Sequence, residues 1–246
     1  MRLAILSDIH GNREGFEAVL RDAAAHGAER LVLLGDIVGY GPDPEWCVER
    51  AMDLHASGAL VLRGNHDNAA SGAAEEMSST ARKAMDWTET RLNGAQKAYL
   101  GGLPYTERLG ALLFSHASAD APEEWRYVSS DTKAIGSFRS SDAKVIFCGH
   151  VHVPLLVHCD RQGVARAQSF RTGFAIPLLR SRRWLAVVGS VGQPRDGVAQ
   201  AGWALFDSES HELTFRRSPA DFAKTAEKIR AAGLPESLAQ RLSEGR

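Results

Sequence analysis

Short continuous apolar runs alternate with amphipathic stretches through the first third of the chain. Leu3-Ala4-Ile5-Leu6 has the pattern of a buried strand. Asn12 then opens a helical stretch with Phe16, Val19, Leu20 and Ala23 on one face, ending near His26-Gly27. Leu31 to Leu34 predicts a second strand, and Pro44 to Ala56 a second helix with Pro44 in its first turn. Leu60 to Leu62 predicts a third strand. This βαβαβ order implies a parallel sheet with right-handed crossovers.

Residues 78–101 read as helical, capped by Ser78 or Ser79 and interrupted at Asn93-Gly94. The second half is richer in strands. Candidates are Leu109 to Phe114, Lys144 to Cys148, Val153 to His158, Val164 to Phe170, Leu185 to Val188, Trp203 to Phe206 and Leu213 to Phe215. Asp160 to Gly163 reads as a hairpin turn, and Arg180, Arg182 and Arg183 as a solvated hairpin tip. In the tail, Ser218 caps a helix with Pro219 at its first position, Gly233 ends it, and Pro235 to Ser243 predicts a last short helix. With no linker, repeat or low-complexity segment, residues 1–246 read as a single α/β domain containing two sheets, with helices from about 219 to 246 packed on it.

Composition then removes alternatives. A chain of 246 residues, 44% hydrophobic and 24% charged, buries enough surface to fold without disulfides. A net charge of −1 argues against a dedicated nucleic-acid binder. No apolar run approaches the ~20 residues of a membrane helix, and Met1 to Leu6 is too short for a signal peptide. Three cysteines (Cys47, Cys148, Cys159) without a CxxC pair suggest a reducing compartment. A cytoplasmic location is the expectation.

The chemistry lies just past the apolar runs. They are followed by Asp8-Ile9-His10, by Gly35-Asp36, by Gly64-Asn65-His66-Asp67, by Ser115-His116 and by Gly149-His150-Val151-His152. The carboxyl ends of strands are where ligands bind in open α/β sheets. In extended chain, residues two apart point to the same side, so Asp8 with His10 and His150 with His152 would each offer two groups to one point. A mixture of carboxylate, amide oxygen and imidazole suits Mn²⁺, Fe²⁺ or Zn²⁺.

These five blocks resemble the signature of the calcineurin-like metallophosphoesterases, from about Met1 to His152. Gly189-Ser190-Val191-Gly192-Gln193-Pro194-Arg195-Asp196-Gly197 is similar to a loop of that superfamily's small cap-less bacterial and archaeal branch of phosphodiesterases and phosphatases. The resemblance implies a four-layer α/β/β/α sandwich of two mixed sheets. It implies two divalent metal ions, one held by Asp8, His10 and His152, the other by Asn65, His116 and His150, with Asp36 bridging. It implies hydrolysis of a small, nucleotide-like phosphodiester, phosphomonoester or phosphoanhydride by direct attack of a metal-bridging hydroxide. His66 would face the scissile phosphate, with Asp67 holding its imidazole.

Beyond the blocks, Arg195 is a candidate for gripping a phosphate oxygen, with Asn12 and Gln193 as further substrate contacts. Glu123, Trp125, Arg126 and Tyr127 are candidates for the pocket wall. The grouping of Cys148, His150, His152, His158 and Cys159 lacks the spacing of a structural zinc site. Competing readings are a metal-binding scaffold or regulatory module without turnover, a nuclease, and a protein phosphatase using the same centre. A small phosphorylated substrate is the expected partner, with no membrane and homo-oligomerisation left open.

Overall fold

A computed structural model describes residues 1–246. Two six-stranded mixed sheets face each other. The first runs β3 (Leu60–Val61), β2 (Arg30–Leu33), β1 (Arg2–Leu6), β11 (Ala201–Asp207), β12 (Glu212–Ser218), β9 (Ile176–Pro177). The second runs β4 (Thr106–Leu109), β5 (Leu112–Ser115), β6 (Val145–Cys148), β10 (Arg183–Val187), β7 (Leu155–Cys159), β8 (Ala165–Ala167). Strands β1, β2 and β3 are parallel, as are β5, β6 and β10; the remaining pairs are antiparallel.

Alternation along the strands builds three cores. Leu3 and Ile5 of β1 point between the sheets, where they meet Phe114, Phe147, Trp184 and Phe206. Ala4 and Leu6 point the other way, onto α1 (Arg13–Ala25), α2 (Pro44–Ala56), α4 (Ser79–Arg91) and α5 (Gly94–Gly102). The far face of the second sheet is covered by α6 (Asp131–Ser140) through Ala134 and Phe138. The result is the α/β/β/α sandwich.

The two C-terminal helices, α7 (Phe222–Ala231) and α8 (Glu236–Glu244), bury Phe222, Ile229, Leu238 and Leu242 in the first sheet's outer core. They also brace the start of α1. Lys228 reaches Glu14 at 3.0 Å and pairs with Asp43, and Thr225 Oγ1 donates within 3.0 Å of Asn12 Oδ1.

Several elements differ from the sequence pattern for identifiable reasons. The run 109–114 is not one strand: Gly110, in the left-handed region at φ +59°, turns the chain back and β4 pairs with β5. Helix 78–101 is two helices, because Asn93 caps a new one, its side chain accepting the Gln96 N–H while the Gln96 side chain accepts the Asn93 N–H. Ser218 ends β12 instead of capping a helix; its hydroxyl accepts from Trp203 Nε1 and donates to Asp22, and Asp221 takes the capping role. Arg183 is not part of a solvated tip. It sits in β10 and donates to the carbonyls of Phe138, Ser141 and Ala143 around the end of α6. Two helices gave no usable pattern. Helix α3 (Asn65–Ala70) is too short for a periodic face, and Gly136 interrupts α6.

Candidate active site

The polar residues following β1, β2, β3, β5 and β6 converge at one edge of the sandwich. They do so through turns of unusual backbone. Asp8, His10, Asp36, His150 and His152 all adopt positive φ, between +50° and +66°. That conformation costs a non-glycine residue roughly 1–2 kcal/mol, so five together mark a functional site. Asp8 and His10 do converge, by tight left-handed turns rather than an extended chain, whereas His150 and His152 turn to different groupings.

Two carboxylates anchor the centre, each using one oxygen on the backbone and turning the other inward. Asp8 Oδ2 accepts the His150 N–H at 3.0 Å, and Asp36 Oδ1 accepts the His66 N–H at 2.8 Å. Asp8 Oδ1 then lies 3.3 Å from His152 Nε2 and 3.9 Å from His10 Nε2. Asp36 Oδ2 lies 3.4 Å from His116 Nε2 and 3.7 Å from His10 Nε2. Three groupings have donor atoms close enough to hold a metal ion: Asp8 with His10 and His152, His10 with Asp36 and His66, and Asp36 with His116 and His150, so Asp36 stands between His10 and His116.

The tautomers argue for cations there. His10, His116 and His152 donate their Nδ1–H to the carbonyls of Val38, Leu34 and Gln193. Each Nε2 is then aimed inward. Two of these atoms, on His10 and His152, face each other at 3.0 Å, and His116 Nε2 is 3.2 Å from His150 Nδ1. The His10–His152 contact, between two Nε2 atoms whose protons lie on Nδ1, is repulsive unless a positive charge lies between them. Asp8 Oδ1 and Asn65 Oδ1 are buried without any hydrogen-bond partner, which is costly for polar atoms unless something else binds them. Burial alone would lower the His116 pKa, yet the Asp36 carboxylate pushes it up to about 9. Burial, together with the charge on His116, lowers His150 to about 3. The donor set fits divalent cations of the Mn²⁺, Fe²⁺ and Zn²⁺ type.

His66 and Asp67 sit at the start of α3, but they do not work as a hydrogen-bonded pair. The buried His66 Nδ1 has no partner and abuts Gly39. Asp67 is turned into the β2–α2 connection, where Oδ1 accepts the N–H groups of Ile37 and Val38 and Oδ2 accepts that of Gly64. Burial and the neighbouring Asp36 push its pKa up to about 7, with the backbone N–H groups opposing. Asp67 therefore shapes the loops carrying Asp36 and Asn65. Asp67→Ala would leave three buried N–H groups unpaired. It is expected to lower unfolding stability by about 2–4 kcal/mol in urea denaturation. An unchanged denaturation midpoint would contradict this role.

The remaining substrate candidates separate. Asn12 is a structural cap: Oδ1 accepts the Gly15 N–H and Nδ2 donates to Gly192 O, so the side chain is spent inside the fold. Gln193 is buried as well. Its carbonyl orients His152, and its Oε1 accepts from Arg195 Nη2 at 2.7 Å and Nε at 3.2 Å. Arg195 does line the cleft beside Asp36, His66, His150 and His152. Of the segment 123–127, only Tyr127 lines the cleft, stacked on His150 with ring centroids 4.1 Å apart. Trp125 instead donates to Glu75, and Arg126 pairs with Asp120 and Glu124. Tyr40 and Arg241 also face the cleft, and no sequence pattern singled them out. The cleft has a volume of about 230 Å³.

Comparison with known proteins places this geometry. The model of the calcineurin-like phosphoesterase superfamily domain matches residues 1–211. An uncharacterised protein of Methanocaldococcus jannaschii is 34% identical over 250 residues, covering 99% of this chain and 98% of its own. The crystal structure of a metallophosphoesterase from Sphaerobacter thermophilus is 36% identical, with TM-score 0.87 over the whole of both chains. The Escherichia coli phosphodiesterase YfcE is 37% identical over 76 residues, 28% of this chain and 41% of that protein. The chain belongs to the calcineurin-like phosphoesterase superfamily and is a metal-dependent hydrolase of phosphate esters.

Proposed function

We propose that the chain hydrolyses a small, nucleotide-like phosphoester at a centre of two divalent metals. Asp8, His10 and His152 would hold one metal, Asn65, His116 and His150 the other, and Asp36 both. The Nε2 atoms of His10 and His152, 3.0 Å apart beside Asp8 and Asp36, carry the reading, because two such lone pairs need a positive charge between them. Cations bound there would neutralise the phosphoryl oxygens and supply a hydrolytic nucleophile at neutral pH.

The chain's own residues do the rest. Asp36 couples the two groupings by a single inward oxygen, so the reacting phosphate is addressed by both at once. His66, neutral because burial lowers its pKa, lies with its ring in the cleft. As a neutral imidazole it donates its ring N–H in a hydrogen bond to a phosphoryl or leaving oxygen. Arg195, held in orientation by Gln193 Oε1, offers the remaining edge of its guanidinium to a non-bridging oxygen. The likeness to a named phosphodiesterase supports placing diesters first. No helix of the chain is long and apolar enough to cross a membrane.

Removing metal is the direct test. Dialysis against EDTA is expected to reduce turnover of bis-p-nitrophenyl phosphate by at least about 100-fold, with Mn²⁺ restoring it. Cleavage of p-nitrophenyl phosphate alone would make the chain a phosphomonoesterase. Bound Mn²⁺ with neither ester cleaved would favour a metal-binding module without turnover.

A further inference from the structure

Arg241 enters the cleft from α8, a helix beyond the residues matched by the family model. It is only partly exposed, and its guanidinium makes no hydrogen bond or ion pair with the protein. The guanidinium is thus free to take an anionic ligand that enters the cleft. Its position is held from two sides. Leu238, Ala239 and Leu242 bury the opposite face of α8 in the core. At the helix end, the buried Gly245 carbonyl accepts the Gly197 N–H at 2.8 Å, which ties α8 to the loop carrying Arg195. Two guanidiniums on one braced unit thus face a cleft of about 230 Å³. The rim also carries Glu76, which is exposed and pairs with neither arginine.

We propose that Arg241 binds a second phosphate of the substrate, beside the one hydrolysed, so that the natural substrate is a nucleotide-like ester bearing two phosphate groups. The inference rests on the phosphoesterase reading above. A single scissile phosphate is already addressed by the central cluster and Arg195. Arg241 adds a second guanidinium to the same cleft, and a planar guanidinium matches a terminal phosphate in two hydrogen bonds.

The test compares two esters in the Mn²⁺-loaded protein: thymidine 5′-(p-nitrophenyl phosphate), and the same molecule with a 3′-phosphate. Arg241→Gln is expected to raise KM for the 3′-phosphorylated ester by about 10- to 100-fold. Its kcat should stay within about twofold, KM for the other ester should not move, and Arg241→Lys should recover part of the loss. Equal changes for both esters, or none for either, would overturn the proposal. Calorimetry of inorganic pyrophosphate against inorganic phosphate gives a readout without turnover. Selective loss of pyrophosphate affinity in Arg241→Gln supports the second-phosphate site even if the wild type cleaves neither ester, an outcome that would defeat the phosphoesterase reading alone. Unchanged pyrophosphate affinity overturns the site.

Discussion

Asp36→Asn is expected to reduce kcat on bis-p-nitrophenyl phosphate by at least about a thousandfold with Mn²⁺ supplied, while the protein stays folded. The substitution keeps shape and removes charge. The amide oxygen can keep the bond that Asp36 Oδ1 now makes to the His66 N–H. The new NH₂ then takes the place of Oδ2, facing the Nε2 atoms of His10 and His116 at 3.7 and 3.4 Å. An amide there keeps the shape of the site and removes its charge, so what is lost is the attraction for metal, not the fold. Two melting curves make the distinction. Wild-type protein should gain melting temperature on adding Mn²⁺, because a ligand that binds only the folded state stabilises it. Asp36→Asn should start at or above the metal-free wild type and gain little. Full activity in the variant would remove Asp36 from the centre. A lower starting melting temperature would instead mean that Asp36 holds up the α3 turn.

How Asp36 reaches this position shows what the sequence could and could not reveal. The polar residues were legible because each follows a continuous apolar run, and parallel strands deliver their carboxyl ends to one edge. The turns were not legible. Asp8, His10, Asp36, His150 and His152 use left-handed backbone held by tertiary bonds such as the Asp8 N–H to Gly35 O and the His10 N–H to Asp36 O. Bonds between segments far apart in the chain leave no local pattern.

The same limit explains the residues that changed role. Asn12 sits two positions after His10, and Gln193 lies in the glycine-rich loop, so adjacency suggested substrate contact. In three dimensions both are consumed within the fold, Asn12 by the start of α1 and Gln193 by Arg195 and His152. Asp67 was read as the partner of its sequence neighbour, but α3 sends its carboxylate back toward Ile37 and Val38. Tyr40 and Arg241 carry no spacing signature at all. They reach the cleft only because α8 and the loop after β2 close on it from opposite ends of the chain.

His66→Ala is expected to cut kcat by about 10²- to 10⁴-fold with little change in KM, the range for a positioned acid or hydrogen-bond donor. Gly39→Ala is expected to reproduce much of that loss without touching the imidazole's chemistry. The His66 ring lies 4.5 Å from Tyr40 and 4.9 Å from His10, centroid to centroid. On its remaining side is Gly39, where a Cβ would fall on Nδ1 and lie 2.9 Å from Cγ. Gly39 also has φ +89°, so alanine there adds backbone strain on the order of 1–2 kcal/mol. That strain should appear as a modest fall in melting temperature, while the displaced ring should appear in kcat. Combining the two substitutions separates these effects. If Gly39 acts by placing the His66 ring, adding Gly39→Ala to His66→Ala should lower kcat no further, because the group it displaces is already gone. Additive losses in the double variant would mean that Gly39 matters for the loop carrying Asp36 and Tyr40 rather than for His66. Full kcat in Gly39→Ala alone would show that the ring does not depend on this wall for its position.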